Sequence, residues 1–279
     1  MKIKEALKQG TDMLKERKIK EANLKAKILL RFYLNTSKEY ITINGDKEID
    51  IRIIHSFFWG IRRLVRNEPI QYIIKNVEFM GLNFYINRNV LIPRPDTEIL
   101  VEEVISIATL ANEYPLNVLD LCTGSGIIGV SLARHLNNVH VCASDISEKV
   151  LTVAKKNALN NNVEIDFITS DLFNNITNEF DIIVSNPPYI RKSKIKTLSK
   201  EVRKEPVIAL DGGEDGLDFY REISKNAKEY LKQNGKLALE IGYNQKNRVM
   251  KILEKDGYKN IYSKQDLSNK DRIVICERG

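Results

Sequence analysis

A glycine-rich turn in the middle of the chain is the first place where residue types and spacing could do chemistry. The turn Cys-Thr-Gly-Ser-Gly occupies positions 122–126, and glycines at 124, 126 and 129 have the spacing G-x-G-x-x-G. Glycines allow a ligand to approach the backbone, and the helix that follows offers unpaired N–H groups. Asp145 lies 19 residues after Gly126, at the end of a predicted strand, where a carboxylate can accept both ribose hydroxyls. The pattern predicts a site for a nucleoside-containing cofactor.

The glycines alone do not choose between a nicotinamide dinucleotide and S-adenosylmethionine, but their neighbours favour the latter. Asp120 precedes the turn, where its carboxylate could face the ammonium of a methionyl group. Asp171 follows the third predicted strand and could meet the adenine amino group, with Leu172 packed on the ring. We find no convincing proton-transfer residue for a dehydrogenase near the turn. The predicted S-adenosylmethionine-binding residues are Asp120, Cys122, Thr123, Gly124, Ser125, Gly126, Asp145, Asp171, Leu172 and Asn186.

The motif Asn-Pro-Pro-Tyr at 186–189 follows the fourth predicted strand. Ligands of such sheets bind outside the carboxyl ends of the strands, so the motif is expected to face the cofactor. The Asn186 side chain and a backbone carbonyl held between Pro187 and Pro188 can accept the two N–H protons of a planar –NH₂ group, on which Tyr189 can stack. The predicted catalytic residues are Asn186, Pro187 and Tyr189, and all four motif residues are predicted to bind the acceptor.

With these motifs the chain resembles the PrmC/HemK family of N5-glutamine methyltransferases, which modify class 1 peptide-chain release factors. The resemblance covers nearly the whole chain, and several stretches outside the two motifs carry its family-specific part. These are Glu68–Tyr72, Val90–Glu98, Glu205-Pro206, Ala209–Leu217, Leu239–Gly242 and Asp271-Arg272.

The resemblance implies an α/β fold with a seven-stranded, mostly parallel Rossmann-like sheet whose last strand is antiparallel. It implies a helical N-terminal domain at 1–69, a β-hairpin linker at 70–92 and an S-adenosylmethionine-dependent methyltransferase domain at 93–279. We assign docking of a partner to the N-terminal domain, because the basic excess of the chain lies there. The implied acceptor is the glutamine amide of a Gly-Gly-Gln motif in a release factor. Cys122 departs from the usual glycine of the family, and Leu172 departs from a common aromatic residue.

Hydrophobic periodicity predicts the elements that must position these residues. Apolar residues recur near the helical period over 2–34 and 48–68, and residues 77–86 indicate two short strands around Met80-Gly81. A helix is predicted from Thr97 to Leu110. From residue 117 onward, strands alternate with helices, which is typical of a parallel sheet covered on both faces. The predicted strands are 118–121, 139–144, 165–169, 180–185, 236–241 and 272–276, and helices are predicted at 147–160 and 217–232.

Charge and composition narrow the function classes. The chain of 279 residues has a net charge of +7, and residues 1–80, with 17 basic and 10 acidic side chains, carry the whole excess. No apolar run is long enough to span a membrane, and the first residues are not typical of a secretory signal. The histidines and cysteines lack metal-ligand spacing, so no metal is expected. We therefore expect a cytoplasmic monomer without direct nucleic-acid binding.

Three interpretations stay open at this point. A methyltransferase for an exocyclic amine of a nucleic-acid base would share the Asn-Pro-Pro-Tyr motif. The segment Pro93–Glu98 either walls the acceptor pocket or supplies Thr97 as a helix cap. The stretch Arg191–Lys204, with seven basic residues and one acid, is either a solvated charge run or a lip that contacts a protein partner.

Overall fold

The computed structural model describes residues 1–111 and 115–279. The described chain divides into two compact units. The first comprises Met1–Asn76 together with Ser199–Lys204, and the second comprises Val77–Leu198 and Glu205–Gly279. Within the described ranges, no helix is both long and apolar enough to cross a membrane.

The first unit is helical. Its helices are α1 (Ile3–Glu16), α2 (Ala22–Leu34), α3 (Lys38–Ile43), α4 (Ile51–Val65) and α5 (Ile70–Ile74). The predicted helical stretch at 2–34 is interrupted at 17–21, where Lys18 and Glu21 adopt positive φ angles. The core forms where the apolar faces of α1, α2 and α4 meet, with Leu14, Leu29 and Phe57 fully buried.

Two short helices of the first unit were not predicted. Ser37 caps α3 by accepting a hydrogen bond from the Tyr40 amide, and α5 begins directly after Pro69. The stretch predicted as a hairpin linker at 70–92 therefore begins with a helix. Its hairpin is the predicted pair of strands, β1 (Asn76–Phe79) and β2 (Leu82–Tyr85).

The second unit contains one sheet of seven strands in the order β5-β4-β3-β6-β7-β9-β8. The strands are β3 (Leu116–Leu121), β4 (Val139–Asp145), β5 (Asp166–Thr169), β6 (Phe180–Ser185), β7 (Leu231–Glu240), β8 (Lys259–Gln265) and β9 (Asp271–Glu277). Strands β3 to β7 pair in parallel, and β9 runs antiparallel to both β7 and β8. The predicted architecture, including its antiparallel last strand, is confirmed.

Helices cover both faces of the sheet, as the strand–helix alternation predicts. They are α6 (Glu98–Thr109), α7 (Ile127–His135), α8 (Glu148–Asn160), α10 (Asp218–Tyr230) and α11 (Lys246–Lys255). The short helix α9 (Lys192–Ile195) has no buried residue and does not belong to this cover. Successive residues of a strand point to opposite faces of the sheet, and each face has its own hydrophobic core. Leu119 and Leu239 lie in the core that includes α10 and α11, whereas Val118 and Ala238 lie in the core that includes α6, α7 and α8.

Strand order reverses between β3 and β6, and this reversal positions the site. β3 pairs with β4 on one side and with β6 on the other. Leu121 is paired with Ser185 at the ends of the two strands, and the Ser185 hydroxyl donates to the Leu121 carbonyl at 2.6 Å. The glycine-rich turn and the Asn-Pro-Pro-Tyr motif therefore start side by side, where open α/β sheets bind ligands.

Candidate cofactor and acceptor site

The glycine-rich turn is held by the carboxylate of Asp120. One oxygen of this carboxylate, Oδ2, accepts hydrogen bonds from the Thr123 hydroxyl at 2.5 Å and from the Gly129 amide at 2.8 Å. Asp120 is fully buried, and its other oxygen, Oδ1, has no hydrogen-bond partner among the described residues. Burial raises its pKa to about 7. The prediction that Asp120 faces the methionyl ammonium stays a prediction, and Oδ1 is the oxygen that is left for a ligand.

The turn needs left-handed backbone at three positions. Cys122, Gly124 and Gly126 have φ angles of 61°, 58° and 83°. At Gly126 an added Cβ would lie 3.1 Å from the Cβ of Ala154 in α8, so this glycine lets the turn and α8 approach each other. Gly126 is not among the residues that line the cavity, and its contact with a cofactor stays a prediction.

Asp145 lies at the end of β4, as predicted. Its carboxylate accepts from the Gly124 amide at 3.1 Å and from the Ser147 amide at 3.1 Å. Burial raises the pKa of this carboxyl, while the backbone hydrogen bonds oppose the rise. Because Asp145 lines the same cavity as the glycine-rich turn, its carboxylate is placed to accept ligand hydroxyls.

A cavity of about 350 Å³ brings most of the predicted residues together. Among the predicted residues, those that line it are Cys122, Thr123, Gly124, Ser125, Asp145, Asp171, Leu172, Asn186 and Pro188. Leu172 adopts a φ of 46°, and its carbonyl accepts from the Ser170 hydroxyl at 2.8 Å. The carboxyl ends of β3, β4, β5 and β6 therefore share one cavity.

The Asn-Pro-Pro-Tyr motif divides between the cavity and the core. Asn186 and Pro188 line the cavity, whereas Pro187 is buried. Tyr189 does not line the cavity: its ring packs on the core, and its hydroxyl donates to Oε1 of Glu240 at 3.3 Å. Tyr189 is half-buried, and its stacking on an acceptor stays a prediction.

The segment Leu210–Gly212 holds the end of the Asn-Pro-Pro-Tyr motif in place through backbone hydrogen bonds to Ile190. The Ile190 amide donates to the Leu210 carbonyl, and the Gly212 amide donates to the Ile190 carbonyl, both at 2.9 Å. A Cβ at Gly212 would lie 2.7 Å from Cα of Tyr189. This glycine lets the two backbones touch. The side-chain Nε2 of Gln245 also donates to the Tyr189 backbone carbonyl at 3.0 Å. No local sequence pattern indicates this interaction.

The segment Pro93–Glu98 forms a wall of the cavity through Pro93, Arg94 and Thr97. Thr97 makes no side-chain cap for α6, so the helix-cap alternative is wrong. Its hydroxyl instead accepts from Nδ2 of Asn186 at 3.3 Å. Arg94 donates to Oε1 of Glu205 at 2.6 Å, and the Ile92 amide donates to Oε2 at 3.1 Å.

The basic stretch Arg191–Lys204 does not form one surface element. Residues 192–195 form α9. Residues 199–204 belong to the first unit, where Glu201 pairs with the nearly buried Lys25 at 2.5 Å. The stretch is therefore anchored through its one acid, while all seven basic residues are exposed. Both interpretations, a solvated charge run and a lip for a protein partner, stay open.

Comparisons with known proteins agree with this arrangement. A family model described as "PrmC N-terminal domain" matches residues 5–74, and "Methyltransferase small domain" matches residues 97–260. A release factor glutamine methyltransferase from Clostridium acetobutylicum is 42% identical, covering 100% of this chain and 99% of that protein. One from Clostridium botulinum is 41% identical, with both chains fully covered.

Solved structures support the fold. A methyltransferase from Pyrococcus furiosus superimposes with a TM-score of 0.53 at 19% identity, covering 71% of this chain and 90% of that one. At this identity the likeness concerns the fold alone.

Proposed function

The chain belongs to the release factor glutamine methyltransferase family, and we propose that it transfers a methyl group from S-adenosylmethionine to a glutamine side-chain amide of a class 1 release factor. The observation that carries this proposal is the position of Asn186. Its side chain lines the same cavity as the glycine-rich turn and Asp145, so an amide held by Asn186 and a cofactor held by the turn would meet.

The residues of the cavity fit the cofactor. Asp145 offers a carboxylate for ribose hydroxyls, and Cys122, Gly124 and Leu172 complete a wall of backbone and apolar groups. When bound, S-adenosylmethionine supplies an electrophilic methyl group. The proposed binding residues are the predicted residues that line the cavity, together with Asp120 and Gly126. Oδ1 of Asp120, which has no partner among the described residues, is proposed to face the methionyl ammonium.

The acceptor amide is a weak nucleophile because its nitrogen lone pair is delocalised. Asn186 Oδ1 and the Pro187 carbonyl are proposed to accept its two N–H protons and so orient the lone pair. Hydrogen bonds that strengthen as the nitrogen becomes pyramidal stabilise the transition state more than the ground state, which raises the rate. Holding the acceptor nitrogen at a near-attack distance of about 3–3.5 Å from the methyl carbon supplies a further part of the rate enhancement.

The helical region at 1–69 is proposed to dock the release factor through its basic face. Arg62 and Arg66 of this region are exposed. Arg63 differs, because its guanidinium is paired with the buried Glu68 at 2.6 Å and stacks on Trp59. Arg62 and Arg66 are therefore the better docking charges. We further propose that the protein acts as a monomer in the cytoplasm, where release factors work.

The proposal is tested by transfer of labelled methyl from S-adenosylmethionine to a purified release factor carrying Gly-Gly-Gln. We expect label in the Gln protein and none in matched proteins with Asn or Glu at that position, since neither places an amide nitrogen at the same reach. Label that appears in RNA or DNA and not in the release factor would instead support the alternative acceptor, a base amine.

A further inference from the structure

The side-chain amide of Gln245 joins three backbone segments that lie far apart in the sequence. Gln245 follows β7 and is 5% exposed. Its Nε2 donates to the Tyr189 carbonyl at 3.0 Å and to the Gly216 carbonyl at 2.9 Å, and its Oε1 accepts from the Gly242 amide at 2.9 Å. Both N–H groups and the carbonyl of one side-chain amide are therefore used, which fixes the orientation of that amide.

Two glycines leave the space that this amide occupies. A Cβ at Gly242 would lie 2.7 Å from Oε1 of Gln245. A Cβ at Gly216 would lie 3.0 Å from Nε2 of Gln245 and 2.6 Å from the carbonyl oxygen of Tyr189. Both glycines belong to stretches outside the Asn-Pro-Pro-Tyr motif that carry the family resemblance. These stretches thus meet the motif at Gln245.

The Asn-Pro-Pro-Tyr motif depends on the flanking chain to hold its backbone. Pro187 and Pro188 have no N–H to donate, and each ring fixes φ but not the ψ angle that directs the carbonyl. Before the motif, Ser185 is paired on both sides within the sheet. After the prolines, the Tyr189 carbonyl is held by Gln245. The direction of the Pro187 carbonyl is thus set between these two anchors.

We propose that Gln245 is a positioning residue for the acceptor: by holding the Tyr189 carbonyl, it keeps the Pro187 carbonyl directed at an N–H of the acceptor amide. The inference rests on the proposed function, because that function assigns the Pro187 carbonyl to the acceptor. It adds a side chain 56 positions away from Tyr189. Gln245 is not among the residues that line the cavity, so it acts through the motif.

The same amide also couples the end of the motif to the segment at 210–216. Nε2 of Gln245 bonds to a carbonyl of each. Backbone hydrogen bonds of Ile190 and Gly212 join the two segments, and the Lys192 amide donates to the Gly213 carbonyl at 2.9 Å. Loss of the Gln245 amide should therefore loosen this backbone pairing, which can be measured at the amide protons that form it.

The decisive experiment measures kcat and KM for the release factor in Gln245→Glu and Gln245→Met, with S-adenosylmethionine saturating. Glu keeps the shape of Gln, but its ionised carboxylate cannot donate to the two carbonyls, whereas Met keeps the length and removes every polar atom. We expect kcat to fall roughly tenfold in both variants, because a misdirected carbonyl loses a bond that strengthens in the transition state. KM for the release factor should change by less than about threefold, and the S-adenosylmethionine Kd by less than about twofold.

The matched control is Asn161→Asp. Asn161 is half-buried, and its single side-chain amide also donates to two backbone carbonyls, those of Asn83 at 3.1 Å and Asn157 at 2.9 Å. This change removes the same kind of hydrogen bonds away from the motif. It should lower the free energy of unfolding while kcat stays within about twofold of the wild type. A role of Gln245 in folding alone would give the same pattern in Gln245→Glu.

Backbone hydrogen exchange followed by mass spectrometry gives a readout without turnover. In Gln245→Glu and Gln245→Met, peptides that contain Ile190, Lys192 and Gly212 should exchange roughly tenfold faster than in the wild type. In Asn161→Asp the same peptides should exchange at the wild-type rate.

Three results would overturn the inference and leave the proposed function intact. They are an undiminished kcat in Gln245→Glu, unchanged exchange of these peptides in both Gln245 variants, and an equal loss of kcat in Asn161→Asp. A wild-type protein that methylates no release factor would overturn the proposed function, and the exchange result would still decide whether Gln245 holds the motif.

Discussion

The contacts of Glu205 determine how much folding stability its replacement should cost. Its side chain is 1% exposed and pairs with Arg94 at 2.6 Å, and it also accepts from the Ile92 amide at 3.1 Å. Glu205→Ala leaves the Ile92 N–H without this acceptor, which costs about 1–3 kcal/mol. It also leaves the Arg94 guanidinium unpaired.

Loss of a fully buried ion pair costs about 3–5 kcal/mol, but the Arg94 side chain is 34% exposed. Solvent screening reduces that contribution to about 1–2 kcal/mol. We therefore expect Glu205→Ala to lower the free energy of unfolding by about 3 kcal/mol. Glu205→Gln should cost about 1–2 kcal/mol, since its carbonyl can still accept from Ile92.

Urea unfolding followed by circular dichroism measures these differences, with an unchanged m value expected. Glu222→Ala is the matched control, because Glu222 is an exposed glutamate on α10, and it should change stability by less than about 0.5 kcal/mol. The reasoning is refuted if Glu205→Ala unfolds at the same urea concentration as this control. That result would mean that the Pro93–Glu98 wall is held by other contacts.

Two further predictions concern docking and backbone approach. Replacing Arg62 and Arg66 with Glu should weaken binding of the release factor roughly tenfold at low salt, with little change in cofactor affinity. Added salt should reduce the difference in release-factor Kd between the variant and the wild type. An unchanged release-factor Kd would mean that these arginines are only solvated surface. Gly212→Ala should cost about 1–3 kcal/mol of stability and lower kcat, because its Cβ would lie 2.7 Å from Tyr189 Cα. Gly45→Ala is the control, since its nearest neighbour would lie at an ordinary 3.6 Å, and equal effects of the two changes would contradict the reasoning.

Local sequence patterns were sufficient for the strands that surround the site. The apolar run of β6 was predicted with its observed bounds, because a central parallel strand is buried on both faces. β8 escaped prediction because most of its residues are exposed and polar at the sheet edge. The helix at 70–74 was missed because five residues are too few for a periodic signal.

The candidate site was predictable where ligand-facing residues follow directly on strands. The glycine-rich turn, Asp145 and Asn186 meet at one cavity for that reason. The supporting interactions were not predictable, since they join distant parts of the chain. Asn186 bonds to Thr97 across 89 positions and Tyr189 bonds to Glu240 across 51.

The contacts of Asp120 were not predictable for a related reason. A carboxylate beside a glycine-rich turn can face either the ligand or the backbone behind the turn, and the sequence does not distinguish these orientations. In the structure Oδ2 accepts the hydrogen bonds from Thr123 and Gly129, whereas Oδ1 has no partner among the described residues.

The central claim is that Asn186 orients an acceptor amide at the cofactor cavity, and transfer by Asn186→Ala tests it most directly. Labelled methyl transfer to a Gly-Gly-Gln release factor should fall by about 100-fold or more, the usual size for loss of one transition-state hydrogen bond. Calorimetry should show that S-adenosylmethionine binding is largely intact, because the turn and Asp145, which supply the other proposed cofactor contacts, are unchanged. Near-normal transfer by Asn186→Ala, with the cofactor bound, would contradict the claim.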